Sequence, residues 1–223
     1  MKLAVVIPAH GSVSLEWSIH LANLLRHTSV PCEVFVSRHY NIDAARQDGV
    51  MAAINAGASH ILFIDTDILP FAYQDGKFVP FVNAIDFMLS YNYPVVSGLY
   101  LSKKDFKPAV YEYTGNEDIP FKTTDKKFED LVNNISFVPA VGLGFCLIDA
   151  RVFEILEKNG YFPFFQYKRD YTKNVEISED LYFMNLLRKC GFSVMLLGQI
   201  ACIHLGSAKF YPNTQIEYAP IGD

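Results

Sequence analysis

The stretch His60-Ile-Leu-Phe-Ile-Asp-Thr-Asp-Ile-Leu-Pro70 decides how the chain is read. Four apolar residues, Ile61 to Ile64, climb to two carboxylates, Asp65 and Asp67, and Pro70 ends the run, so a short buried strand delivers acid to its carboxyl end. Side chains two apart on an extended strand share a face, which would put both carboxylates within reach of one cation. With fourteen Asp in the chain, about one Asp-x-Asp pair arises by chance. The position at a strand end is what gives the triplet weight.

Working outward, Leu3–Ile7 reads as a central strand ended by Pro8, and Ser14 caps a helix with Leu15, Ile19, Ala22 and Leu25 at helical spacing. Glu33–Ser37 is a second strand. Asp43 opens a helix packed through Ala44, Val50 and Ile54 and closed by Gly57. Strand, helix, strand, helix, strand predicts right-handed parallel crossovers, with Pro8, Ser37 and Asp65 rimming one crevice at the carboxyl ends of the strands. Further on, the pattern predicts a helix over Phe78–Ser90, strands at Pro94–Gly98 and Ala109–Tyr113, and a surface insertion over Thr114–Lys127. It then predicts strands at Ile135–Val141 and Phe145–Ile148 and helices at Ala150–Lys158 and Ser178–Cys190. Phe192–Leu197 and Ile200–His204 complete the sheet.

The chain has 223 residues, 51% of them hydrophobic and 19% charged, which fits one α/β domain and excludes a disordered chain. Eighteen Phe and thirteen Tyr exceed the needs of such a core, so some aromatics are expected to line a groove. A net charge of −5 argues against a nucleic-acid partner, which needs a basic field. Cys32, Cys146, Cys190 and Cys202 form no C-x-x-C pair and read as small core residues. No segment has the roughly 18 apolar residues that cross a bilayer, and the apolar start is too short for a signal peptide. The expectation is a soluble, cytoplasmic protein without a transmembrane segment.

Four places together resemble the GT-A glycosyltransferases, and especially the compact family-two-like enzymes: Ile7-Pro8-Ala9-His10; Ala45-Arg46-Gln47 leading through Ala52–Gly57 into Phe63-Ile64-Asp65-Thr66-Asp67; Val141-Gly142-Leu143-Gly144-Phe145; and Ser178-Glu179-Asp180 opening a late helix. The resemblance covers most of Lys2–Lys209. It implies a Rossmann-like, mixed but mostly parallel sheet flanked by helices, in a single domain with a nucleotide-binding half (1–100), an acceptor-binding half (101–210) and a C-terminal tail (211–223). It further implies a nucleotide-diphosphate sugar such as a UDP- or GDP-sugar as donor, and a glycan, protein or lipid-linked acceptor.

In such enzymes the first Asp of the triplet lies near the donor ribose and the last binds metal, which assigns Asp65 and Asp67 to the donor and its cation. A divalent cation bridging the phosphates neutralises the leaving group, and carboxylate oxygens favour Mn²⁺ or Mg²⁺. An added imidazole tilts the choice to Mn²⁺, and His204 is the candidate. His204-Leu205-Gly206-Ser207-Ala208-Lys209 is similar to the metal-binding His, Gly and phosphate-binding Lys of some glycosyltransferases, one residue shorter between His and Gly than in the glycogenin-like group. Lys209 is the corresponding phosphate ligand. Ser178-Glu179-Asp180 matches the acidic motif that supplies the base in inverting enzymes, so Asp180, beside Glu179, is the expected base. Acidic residues are equally at home in any first helical turn.

Pro8, Ala9 and His10 are expected at the nucleotide, and Arg46 at its phosphates or base. Tyr161–Tyr171 is too aromatic for a plain loop; it is expected as a flap over the acceptor that carries Lys168, Arg169 and Lys173, the other reading being core. Two other functions share parts of this pattern. A haloacid-dehalogenase-like phosphatase also places an Asp-x-Asp after an apolar strand, but it wants Thr or Val where Leu69 stands. A non-catalytic nucleotide-sugar or glycan-binding module would share the fold without turnover.

Overall fold

The computed structural model describes residues 1–170, 172, 175–206, 208–210 and 216–218, with Asp170 and the last two segments as backbone only. The chain runs β1 (Leu3–Pro8), α1 (Leu15–His27), β2 (Cys32–Ser37), α2 (Ile42–Asn55), β3 (His60–Ile64), β4 (Ile68–Leu69), β5 (Phe71–Gln74), β6 (Lys77–Pro80), α3 (Ala84–Ser90), β7 (Val95–Leu99), β8 (Val110–Tyr113) and β9 (Phe121–Thr123). It continues α4 (Phe128–Leu131), β10 (Ile135–Val138), β11 (Ala140–Val141), β12 (Phe145–Asp149), α5 (Ala150–Lys158), β13 (Lys168–Asp170), β14 (Val175–Ile177), α6 (Glu179–Lys189), β15 (Val194–Ala201), β16 (Ile203–His204), β17 (Ala208–Phe210) and β18 (Ile216–Tyr218).

Seven strands form the central sheet in the order β10-β15-β7-β12-β3-β1-β2. β12 runs antiparallel to both of its neighbours and β10 to β15, so five of the seven strands point one way. This is the mixed, mostly parallel, Rossmann-like sheet that the sequence predicts. Alternation along the strands sorts the core onto two faces. Val6, Phe63, Cys146 and Leu196 pack with α2, α5 and α6, whereas Val5, Leu62, Leu147 and Leu197 pack with α1 and α3. Because α1 and α2 cover opposite faces, the strand order turns at β1, and the crevice lies at the carboxyl ends of β1 and β3.

Several local expectations give way to tertiary contacts. Ser14 caps α1 as expected, its hydroxyl accepting from the Trp17 amide at 3.1 Å. The buried stripe, however, is Trp17, Leu21 and Leu24, while Leu15 is 76% exposed. The helix expected over Phe78–Ser90 starts only at Ala84, since Lys77–Pro80 pairs with Phe71–Gln74 in a hairpin whose turn residues Asp75 and Gly76 both have positive φ. The insertion expected at Thr114–Lys127 contains β9, which pairs with β8. The strand expected over Ile135–Val141 divides at Pro139 into β10 and β11, which join different sheets, as suits a residue with no N–H for a ladder. Phe164 and Phe165 are buried and ring-packed against Phe153, Phe63 and Phe183, so the middle of the expected aromatic flap is core. Lys173 and Tyr171 lie outside the described residues.

Candidate active site

β3 does not carry the triplet in extended form. The Ile68 amide donates to the Asp65 carbonyl at 3.1 Å, closing a turn over Asp65-Thr66-Asp67-Ile68. The indole N–H of Trp17 and the Gly144 carbonyl fix the same place, the first donating to the Asp65 carbonyl at 2.9 Å and the second accepting from the Asp65 amide at 2.9 Å. A turn breaks the two-residue repeat of a strand, so the carboxylates do not share one strand face as the sequence suggested. Each has its own partners.

Asp65 faces Arg46, whose Nη2 donates to Asp65 Oδ2 at 3.1 Å while Nη1 stands 3.0 Å from Oδ1. The second contact is an ion pair without hydrogen-bond alignment, for both atoms lack a directed partner. Arg46 Nε donates to Glu179 Oε1 at 3.1 Å, and the guanidinium lies 5.3 Å from the centre of the Phe63 ring. Arg46 is only 3% exposed although it sits on α2. Burial alone would lower its pKa, but the charges of Asp65 and Glu179 outweigh that and hold it above the ordinary arginine range. A permanently charged, planar fork suits this double pairing. Arg46 is thus a buried bridge between the triplet and α6.

Asp67 faces the other way. Its Oδ2 accepts from Lys103 Nζ at 2.7 Å and lies 3.2 Å from His204 Nε2. Burial pushes the Asp67 carboxyl up, but the hydrogen bond and charge of His204, joined by those of Lys103, bring it down to about 2. β16 reaches this place by pairing with β4, His204 opposite Ile68, and the Leu205 amide donates to the Asp67 carbonyl at 2.6 Å. His204 Nδ1 donates to the Leu101 carbonyl at 2.8 Å, which fixes the ring, and Nε2 donates to the Asp67 carboxylate in this arrangement, so a metal ion on Nε2 would take the place of that proton.

Among the described residues no group of three or more His, Cys, Asp or Glu side chains is spaced to hold a metal ion. Asp67 and His204 supply one carboxylate and one imidazole held by the backbone, a partial donor set that a cation would have to complete with other oxygen ligands. Asp65, turned to Arg46, is not part of that pair.

Asp180 opens α6 beside Ser178, whose hydroxyl donates to Asp180 Oδ1 instead of capping the helix; the Leu181 amide donates to the same oxygen at 2.8 Å. Its Oδ2 faces Gly142, where an added Cβ would stand 3.4 Å away and would collide with the Tyr100 hydroxyl. Glycine at 142 therefore lets Tyr100 and Asp180 approach the same piece of backbone between β11 and β12. The Tyr100 hydroxyl accepts from the Gly144 amide at 3.2 Å. Burial, reinforced by Asp65 and Asp180, raises the Tyr100 pKa far above the ordinary phenol value. Glu179 is also raised, by burial first and the charge of Asp180 next, against the pull of Arg46.

Pro8, Ala9 and His10 line a small pocket of about 50 Å³ with His39, Tyr40 and Ala45, next to Arg46 on α2. The His10 and Tyr40 rings meet edge-on at 5.8 Å. Lys209 sits on β17 opposite Glu217; its side chain lies outside the described residues. Sequence reasoning missed Lys103 and Tyr100. Lys103 stands in an irregular loop with no periodic signal. Tyr100 follows the β7 apolar run and reads as core, and only the Gly142-x-Gly144 spacing hints that something large approaches there.

No protein-family model matches the sequence. No curated protein matches it either. Among solved structures, A197 from STIV superposes with a TM-score of 0.62 at 19% identity, covering all of this chain and 96% of that one. A Drosophila beta-1,4-galactosyltransferase 7 mutant in complex with manganese, UDP-Gal and xylobiose gives a TM-score of 0.49 at 16% identity, covering all of this chain and 71% of that one. The likeness to A197 extends over the whole chain and concerns the fold. No helix among the described residues is long and apolar enough to cross a membrane.

Proposed function

We propose that the protein is a GT-A-type, metal-dependent glycosyltransferase that moves a sugar from a nucleotide-diphosphate sugar to an acceptor hydroxyl with inversion. The observation that carries the reading is the pairing of Asp67 with a backbone-oriented His204, whose ring lies 5.6 Å from that of Tyr100, the tyrosine that shares the surroundings of Gly142 with Asp180. Mn²⁺, or Mg²⁺, would be held by Asp67 and His204 and would neutralise charge on the leaving diphosphate. Lys103, now on Asp67, is placed to turn to a donor phosphate as that carboxylate takes up the cation. Lys209 is a second phosphate ligand, and Pro8, Ala9 and His10 receive the nucleotide at the end of β1.

Asp180 acts as the base. Its carboxylate takes the proton of the acceptor hydroxyl while that oxygen bonds to the anomeric carbon and the bond to the diphosphate breaks on the opposite face. Ser178 and the Leu181 amide hold one carboxylate oxygen, so the other is left for the acceptor. Glu179 and Asp65 are positioning residues fixed by Arg46. A phosphatase using Asp65 as nucleophile is disfavoured, because a carboxylate paired with a buried guanidinium is a poor nucleophile. A binding module without turnover would have the same pocket but no use for Asp180.

The test is a thermal-shift and hydrolysis screen of UDP- and GDP-sugars with and without Mn²⁺. At least one donor should stabilise the protein only with Mn²⁺ and be turned over slowly to nucleoside diphosphate. Equal stabilisation without metal, or none with any donor, would sink the proposal; stabilisation without turnover under any acceptor would leave a binding module.

A further inference from the structure

Lys103 holds the oxygen that a cation at Asp67 would need. Its Nζ lies 2.7 Å from Asp67 Oδ2, and His204 Nε2 lies 3.2 Å from the same atom. A cation shared by Asp67 and His204 therefore binds where an ammonium already sits. A divalent ion of the size of Mg²⁺ bonds oxygen at about 2.1 Å. Such an ion on Oδ2 and an ammonium left 2.7 Å from that atom stand no more than about 5 Å apart. Two cations at that distance repel, and more strongly the less water lies between them. The Lys103 side chain is 35% exposed and that of Asp67 39%, so water screens the repulsion only in part.

The backbone around Lys103 lets it leave without disturbing His204. Leu101 bridges to Pro108 across a short loop, in which the Ser102 amide donates to the Lys107 carbonyl at 2.9 Å and the Phe106 amide to the Ser102 carbonyl at 3.0 Å. The Leu101 carbonyl, which accepts from His204 Nδ1 at 2.8 Å, belongs to the closed base of this loop. Lys103 stands in its turn. Rotation about the bonds of its flexible four-carbon stem frees Asp67 while the carbonyl that orients His204 stays in place. An anion with more acceptor oxygens than one carboxylate would draw the ammonium away, and a diphosphate is such a group.

We infer that Lys103 is a built-in competitor for the cation at Asp67, so that a divalent ion binds weakly there until the ammonium is taken up elsewhere. The competition needs only Lys103, Asp67 and His204; its relief by a diphosphate rests on the glycosyl-transfer reading. With that relief, metal and nucleotide each raise the other's affinity by one and the same factor. The experiment is a titration of Mn²⁺, followed by loss of the free-ion electron paramagnetic resonance signal, into wild type, Lys103→Met and Lys103→Arg, each alone and with saturating UDP or GDP. Asp67→Ala measures binding elsewhere on the protein, and thermal melting confirms that each variant is folded. Lys103→Met should bind Mn²⁺ alone about fivefold or more tighter than wild type and gain less from nucleotide, whereas Lys103→Arg, which keeps the charge, should bind as wild type does. Equal affinity of Lys103→Met and wild type without nucleotide, or the same gain in Lys103→Arg, would overturn the competition, and the transfer reading would stand if UDP or GDP still tightened the metal. Tighter binding by Lys103→Met that neither nucleotide alters in any of the proteins would uphold the competition and sink the transfer reading. No Mn²⁺ bound through Asp67 under any condition would overturn both.

Discussion

Arg46 compensates two buried carboxylates at once, and removing it tests how much the site depends on it. Arg46→Met would leave Asp65 and Glu179 facing each other without a cation, and breaking a buried pair in this way costs about 3–5 kcal/mol. Urea denaturation should show that loss; a change below about 1 kcal/mol would mean that the pair is solvated in solution. Asp180 tests the chemistry instead. Asp180→Asn keeps the Ser178 and Leu181 contacts nearly isosteric, so donor affinity should stay while transfer falls by about a hundredfold or more, the usual scale of a lost general base. Product that keeps the donor's anomeric configuration by proton NMR, or normal transfer by the variant, would return Asp180 to a plain first-turn acid. Its side chain and that of Asp67 were legible as site candidates because a strand end and a helix start both leave marks in sequence. The burial of Arg46 was not, because an arginine on an Ala-rich helix looks the same whether it faces water or two carboxylates.

At the scale of elements, misreadings came where two local signals competed. Asp75-Gly76 is a strong hairpin signal, with both residues at positive φ, yet the apolar run from Phe78 onward has helical spacing and hid the hairpin. In α1 Leu15 and Ile19 have the right spacing but are exposed, and Trp17 sets the phase because its indole reaches the Asp65 carbonyl. α3 is tied to the end of α1 by Asp86, which accepts from the Thr28 hydroxyl at 2.7 Å and the Ser29 amide at 2.9 Å. Burial pushes the Asp86 carboxyl up, but these hydrogen bonds outweigh it and hold it below its ordinary value of 3.8. A lowered folded pKa gives stability that is complete above the unfolded value and is lost as pH falls through the folded one. The stability gap between wild type and Asp86→Ala should therefore be constant above about pH 5 and narrow below the ordinary carboxylate range. A gap that stays level down to pH 2, followed by chemical denaturation, would show that the tie does not titrate.

At the scale of the molecule, the parallel start of the sheet over β1, β2 and β3 and the helices flanking it were legible because alternation and crossover handedness constrain them, whereas the order of the other strands was not. The pairing of β16 with the triplet turn was not, since two residues of strand carry no period, and it is this pairing that brings His204 to Asp67 across 137 positions. We propose that these two side chains, and not Asp65, hold the cation of a nucleotide-sugar donor. The most direct measurement is a crystal structure of the protein grown with Mn²⁺ and UDP or GDP, with data collected at the manganese absorption edge. One anomalous peak is expected, bonded to an Asp67 carboxylate oxygen, to His204 Nε2 and to diphosphate oxygens, with Lys103 moved off Asp67 and Asp65 still on Arg46. A peak between Asp65 and Asp67 with Arg46 displaced, or nucleotide bound at the end of β1 with no metal at His204, would contradict it.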